Sequence, residues 1–539
     1  MADRQRKRNI LFIVTDQERA DIPSAIPLPA HERLRERGVA FTNFHVTTTP
    51  CGPSRSVIYS GLHTNGTRMV SNPNTPPRRA MSSEVETMGG MFRKLGYETA
   101  YKGKWHLSHV NDDRDEEARI FPDTCDALEP YGFSDYNYDG DPHGHTWTGY
   151  RQDKMIAADA AGWIDRRKGN DTPWFLAVNF VNPHDIMFFT TGPHQTATRF
   201  SPNMVSPLGE APHDPEYRID WKLPLPESFH DDDLSTKPWS HREDVVHCNA
   251  FYGEMPHENE EVWHIYRNYY FNCLRDVDRQ LALLLDALEE SGEADNTIIV
   301  FTADHGEMAA AHGLRGKGPT YYREVACVPL IVSHPDGPRA CETEALGTSL
   351  DLAPTLLAMA GMPEEERRAR FPALKGCDLS PSILEKDGRS ERDTRGALYY
   401  YGVTLYWDPE LIRGFIGLDS GRSMPPAVKE RIDIGDFPAR GNRALIRGIF
   451  DGRHRFARYF APADHHRPED WETLSTRNDL ELYDTASDPD EIVNLAGEAA
   501  HRETILDLNA RLNRAMDIEI GTDDGREYDG DPALYRIAT

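Results

Sequence analysis

The chain has 539 residues, 39% of them hydrophobic and 10% aromatic, enough for a large core and too many for global disorder. Its formal net charge of -28 excludes a nucleic-acid partner, whose phosphates need a basic footprint, and works against adhesion to anionic membranes. The length suits one large domain plus a smaller one, or two or three ordinary domains, and a change of pattern after about Arg392 divides it into an α/β domain over 1–391 and a small α+β subdomain with tail over 392–539.

The N-terminus is basic, but its apolar run Ile10–Val14 is too short for a signal-peptide core or a bilayer span. It reads as a buried strand that ends on Asp16 and Gln17. The stretch TTTPCGPSRSVIYSG follows. Pro53 suits the first turn of a helix and Gly61 its end, so Cys51 falls at a helix N-terminus, where free N–H groups and the dipole favour anions. Arg55 returns to the same face four residues on. A buried structural thiol is the competing reading. In YKGKWHLS, Lys104 and His106 stand two apart, which on an extended segment aims both to one side.

WFLAVNFVNPH repeats the strand design and delivers His184 at its end. A long amphipathic helix pattern then runs to Gly292, a natural residue just past a helix end. NTIIVFTADHGE is a third such strand, ending on Asp304 and His305, and HGLRGKGP offers Lys317 in a glycine-rich loop. VPLIVSHP and LDLAPTLLAMAG add a strand and a helix. Beyond Arg392 short strands and a helix near Glu503–Met516 predict a small antiparallel sheet. The whole predicts an α/β fold: a large doubly wound, mixed but mostly parallel sheet flanked by helices, with ligands beyond the carboxyl ends of its strands. Two stretches, Asn111–Gly149 and Thr190–His257, lack periodicity and are rich in Asp, Pro, His and aromatics. They read as functional loops or subunit contacts, and a homo-oligomer is expected. Asn72 and the DPHGHTW segment from Asp141 are candidates to line a pocket. Seven cysteines, odd in number and widely spaced, predict reduced thiols and a cytoplasmic protein.

The chemistry lies in how these strand ends combine. Asp16, Gln17, Asp304 and His305 offer two carboxylates, an amide oxygen and an imidazole, a divalent-cation set if both pairs face one sheet edge. An Asp at a strand end also serves simply as a cap. Arg55, Lys104 and Lys317 add positive charge, and His106 and His184 add protonatable rings. Together they suit a tetrahedral oxyanion whose departing alcohol needs a proton.

CGPSRSVIYSG resembles the sulfatase signature C-x-P-S-R, and GKWHL, TADHGE, VPLIV and ELYDTASDPDEIVNLAGE resemble sulfatase segments in the same order. The resemblance covers about Asn9 to Gly497 and implies a sulfatase within the alkaline phosphatase superfamily. It implies that a maturation enzyme oxidises Cys51 to formylglycine, whose hydrate attacks sulfur. It implies that Asp16, Gln17, Asp304, His305 and residue 51 hold one divalent cation, with Arg55 activating the nucleophile. Lys104 and Lys317 would hold the sulfuryl oxygens, His184 would protonate the leaving alcohol, and His106 would take the proton that frees sulfate. Many sulfatases carry Asp and Asn where this chain has Gln17 and His305. The Gln/His pair resembles the choline-sulfatase and phosphonate monoester hydrolase branches and favours Mn²⁺ over Ca²⁺. The expected substrate is a small-molecule sulfate ester. Hydrolysis of phosphonate monoesters or phosphodiesters is the alternative, as main or promiscuous activity, and a silent relative that only binds sulfated ligands is a third reading.

Overall fold

The structure is a computed structural model in which residues 7–75, 79–110, 127–138, 140–199, 207–385, 387–403, 426, 430 and 442–525 are described. Strands β1 (Asn9–Asp16), β2 (Val39–His45), β3 (Glu98–Gly103), β4 (Trp174–Pro183), β5 (Thr297–Ala303), β6 (Leu330–Ser333) and β7 (Cys341–Thr348) form one sheet in the order β3-β4-β1-β5-β6-β2-β7. β6 runs antiparallel to both neighbours, and the other pairings are parallel. The mixed, mostly parallel sheet is the one expected from the sequence.

β1 is central because every residue of NILFIVTD is buried, as a strand covered on both faces requires. Ile10, Phe12 and Val14 pack on one face with Ile58 and Tyr59 of the helix Cys51–Ser60. Leu11 and Ile13 pack on the other with Ile156 and Trp163 of the helix Thr148–Asp165 and Leu281 and Leu284 of the helix Glu260–Ser291. Each such buried aliphatic side chain stabilises the fold by about 1.5–3 kcal/mol. The long helix ends as expected on Gly292, whose φ of 78° is left-handed and cheap only for glycine.

A second, antiparallel sheet has the order β11-β10-β9-β8, from β8 (Ala397–Tyr401), β9 (Leu445–Phe450), β10 (His454–Phe460) and β11 (Asp479–Asp484). The helix Arg502–Glu519 covers it through Ile505, Leu508 and Leu512, against Leu398, Ile449 and Phe456. Arg392 joins the two sheets' surroundings. Its guanidinium lies 2.5 Å from Asp351, at the start of the helix Leu352–Met359, and also meets Glu519 near the end of the last helix. All three side chains are fully buried. Burial alone would raise the Glu519 carboxyl, but Arg392 and a 2.9 Å bond from His63 hold it down at about 2.

The stretch Thr190–His257 departs from the expected loop, since it contains the helix Trp239–Tyr252. That helix turns Ser240, Asp244, His247 and Phe251 inward, so its helical period is carried mostly by polar residues. Of the expected loops and strands, residues 111–126, 139, 200–206 and those from 404 onward in the GALYYYGVTLYW stretch lie outside the described residues. Among the described residues no disulfide forms, and no helix is long and apolar enough to cross a membrane.

Arg392→Met leaves the Asp351 and Glu519 carboxylates buried without their counter-ion. We expect it to cost about 3–5 kcal/mol, the typical penalty for breaking a buried pair from one side, and to shift the urea midpoint downward accordingly.

Candidate active site

The site assembles beyond the carboxyl ends of β1 and β5, which pair from Asn9↔Thr297 to Thr15↔Ala303 and so bring Asp16 and Asp304 side by side. Gln17 follows at φ 74°, a left-handed backbone that turns the chain off the strand, and its N–H donates to Asp304 Oδ1 at 3.1 Å. Cys51 is the first residue of the helix Cys51–Ser60, fully buried, and Gly61 ends that helix in the left-handed region. Both ends match the sequence reading. Ligand atoms of Asp16, Cys51, Asp304 and His305 all lie within 4.8 Å of one another. Cys51 Sγ is 3.2 Å from His305 Nε2, 3.1 Å from Lys317 Nζ and 3.7 Å from Asp16 Oδ1.

Cations surround the carboxylates. Lys104 Nζ is 2.5 Å from Asp16 Oδ2, and Arg55 lies 2.9 Å from Asp304 and 3.6 Å from Asp16. Arg55 thus reaches the carboxylates flanking Cys51, and is anchored behind by the Lys104 carbonyl at 2.8 Å and Asn179 Oδ1 at 3.0 Å. Lys317 Nζ donates to Gln17 Oε1 at 2.5 Å. Burial pushes the Asp16 carboxyl up, but Lys104, His184 and Lys317 outweigh it and hold it well below its ordinary value. Burial and the charge on Asp16 push Asp304 up, against His305 and Arg55. Burial and then Lys317 lower His305 to about 4, which leaves a neutral imidazole able to ligate a metal.

His106 and His184 both stand by this cluster. Burial, then Lys104 and His143, depress His106, and burial, then Lys104 and Lys317, depress His184. Among the described residues, neither ring nitrogen of His106, nor Nδ1 of His184, has a hydrogen-bond partner. Lys104 and His106 come from the turn after β3 rather than from the strand itself, with Trp105 between them turned into the core and His106 at φ 56°.

The DPHGHTW segment supports these rings. Asp141 accepts the backbone N–H groups of Trp105 and His106 at 2.9 and 2.7 Å, and His143 stacks on His106 with centroids 5.1 Å apart. Gly144 has φ +127°, and a Cβ there would lie 2.5 Å from the His184 ring. Asn72 Oδ1 accepts the Gly52 N–H at 2.8 Å, satisfying a free donor at the helix start. Three supporting residues escaped the sequence reading. Asn179 holds Arg55 and Tyr59, Glu307 accepts the Gln17 amide, and Phe188 lies 5.8 Å from His184 and 6.3 Å from Tyr252. Glu307 was within the quoted TADHGE, and its position two residues past His305 was the only signal for it.

The residues fit a divalent cation. The ligand atoms of Asp16, Asp304 and His305 converge within 4.8 Å, and the carboxylates, Gln17 oxygen and neutral His305 are the donor set of a hard to borderline metal.

A parallel-sheet scaffold with a buried thiol at a helix start, two strand-end carboxylates and a ring of cations defines a hydrolase built for a tetrahedral oxyanion. The family model for sulfatases matches residues 8–362, and the chain belongs to the sulfatase family, within the alkaline phosphatase superfamily; it is a sulfuric ester hydrolase. N-acetylglucosamine-6-O-sulfatase of Bacteroides thetaiotaomicron is 25% identical over 458 residues, 74% of each chain. Delta 4,5-hexuronate-2-O-sulfatase of the same organism is 24% identical over 525 residues, 95% of this chain and 89% of that protein. The phosphonate monoester hydrolase of Silicibacter pomeroyi shares the fold, with a TM-score of 0.64 at 19% identity over 97% of this chain and all of that one.

Gly144→Ala is expected to displace the His184 ring and to strain a backbone that only glycine adopts cheaply at φ +127°. A misplacement near 1 Å costs on the order of 100-fold in rate, so steady-state turnover should fall by about that much, with the melting midpoint also lowered but the protein still folded.

Proposed function

We propose that this enzyme hydrolyses sulfate monoesters of small alcohols, with Cys51 matured to formylglycine and one divalent cation, Mn²⁺ by preference, held by Asp16, Gln17, Asp304 and His305. The carrying observation is the position of Cys51 Sγ among Lys317, His305 and Asp16, since that atom marks where an oxygen on the same Cβ would sit. The hydrated aldehyde supplies an oxygen nucleophile that can later release sulfate without water attacking the enzyme–sulfate bond, and the cation neutralises charge and lowers a hydroxyl pKa.

The chain's own residues supply the rest. Lys317 and Lys104 hold the sulfuryl oxygens, and their charge counts for more in a dry site than in water. Arg55, fixed by Asn179 and the Lys104 carbonyl, keeps Asp304 and Asp16 in place. Burial, then Lys104 and Lys317, keep His184 neutral. The negative charge of a bound ester opposes that effect, so the substrate itself favours the proton His184 must give to the leaving alcohol. His106, held neutral by burial and Lys104, would accept a proton from residue 51 once the alcohol has gone.

A second reading, hydrolysis of phosphonate monoesters or phosphodiesters, is favoured by the Gln17 and His305 pair and by the shared fold with a phosphonate monoester hydrolase. Lys104 and His106 weigh toward sulfate, because they resemble the sulfatase motif. The names of the two sugar-sulfatase relatives support a sulfate ester too.

Three measurements test the proposal. The tryptic peptide Gly38–Arg55, from protein made alongside a maturation enzyme, is expected to show the mass and carbonyl reactivity of formylglycine; an intact thiol there refutes the mechanism. Enzyme stripped of metal and refilled with Mn²⁺ is expected to turn over aryl sulfate faster than aryl phosphonate and faster than enzyme refilled with Ca²⁺. Lys104→Ala should cut the sulfate rate by about 100–1,000-fold, as for loss of one oxyanion donor. Dominant phosphonate turnover that ignores Lys104→Ala establishes the second reading instead.

A further inference from the structure

Glu307 lies two residues past His305, is fully buried, and none of the steps above uses it. Its two oxygens serve different parts of the site. Oε2 accepts a short hydrogen bond from Gln17 Nε2. Oε1 accepts from the backbone N–H of Gly316 at 2.7 Å, from that of Ala309 at 3.1 Å and from Tyr266 O–H at 3.2 Å. Every partner is a donor, so all the contacts require residue 307 to act as an acceptor at both oxygens.

That fixes the Gln17 carboxamide. On one side it faces Glu307, which only accepts; on the other it faces the Lys317 ammonium, which only donates, at 2.5 Å. Only one of the two amide orientations satisfies both, and it turns Oε1 toward Cys51 and the cation cluster. A carboxylate at position 17 would set two anions in short contact in a buried site, so an amide there and a carboxylate at 307 form a matched pair. An amide whose N–H donates to a carboxylate also carries more negative charge on its oxygen. Through Gly316, the same carboxylate pins the loop that carries Lys317.

We infer that Glu307 is a positioning residue that orients and strengthens Gln17 as a metal ligand while anchoring the Lys317 loop. This rests on the cation site of the proposed function, and its test reads metal binding alone. Mn²⁺ is titrated calorimetrically into the full-length, metal-stripped protein with Cys51 unmodified, so neither maturation nor turnover enters the result. In Glu307→Gln the new amide turns a donor toward either Gln17 Nε2 or the Gly316 and Ala309 N–H groups, whichever way it lies. Its Mn²⁺ affinity should fall by about 10–100-fold, as when a supporting partner of a metal ligand is lost. The double variant Gln17→Glu/Glu307→Gln exchanges the pair. The amide at 307 can then donate to the carboxylate at 17 and accept from Gly316 and Ala309, so affinity should return to within about threefold of wild type. Glu307→Gln binding within about threefold of wild type overturns the inference. If that variant does not fold, the exchange decides: wild-type binding supports the inference, and failure to fold or to bind overturns it.

Discussion

Asp16, at the end of β1, and Asp304, just past β5, set two fully buried carboxylates side by side. Two negative charges cannot stay buried together uncompensated, and the rest of the site answers that constraint. Arg55 comes up from the helix behind, Lys104 from the turn after β3, Lys317 from a glycine-rich loop and His305 from the strand end itself. Burial, then the charge on Asp16, pushes the Asp304 carboxyl up against the pull of His305 and Arg55. The cations that answer the carboxylates also stand at the thiol, with Lys317 Nζ 3.1 Å from Cys51 Sγ.

Much of this was legible in the sequence because the informative residues stand at strand ends. The apolar runs of β1, β4 and β5 name themselves, and in a parallel sheet their last residues must meet at one edge. Cys51 could be placed because Pro53 and Gly61 bracket its helix. Arg55 could be set on the face of Cys51 by helical spacing, but that spacing says nothing of the carboxylates of Asp304 and Asp16 that it meets there. Lys104 and His106 were read as neighbours on an extended segment, whereas a turn with a left-handed His106 brings them to the site.

What stayed hidden is polar packing. The helix Trp239–Tyr252 buries Ser240, Asp244 and His247, so hydropathy gives no period to read. Asn179 sits inside an apolar strand that also carries Asn182, and nothing local says that Asn179 is the one that holds Arg55 and Tyr59. Glu307 looks like any surface glutamate until the fold closes four donors around it. Glycine at 144 carries no signal either, because its role is to be empty beside His184. Asn179 with Arg55, Gly144 with His184 and Glu307 with Gln17 are pairs far apart in the chain, beyond any window of sequence periodicity.

The topology also sets a clock. β1 is flanked by β4 and β5, so the strand made first waits for one that ends at Ala303. Cys51 is enclosed by Asp304, His305 and Lys317, and none of them exists until more than half of the chain has been synthesised. At roughly 5–20 residues per second, the CGPSR segment emerges and stays uncovered for tens of seconds before its enclosure can be built. The buried thiol of the finished protein is therefore an exposed one for a defined interval of its birth, and any enzyme that must reach it has that interval in which to do so.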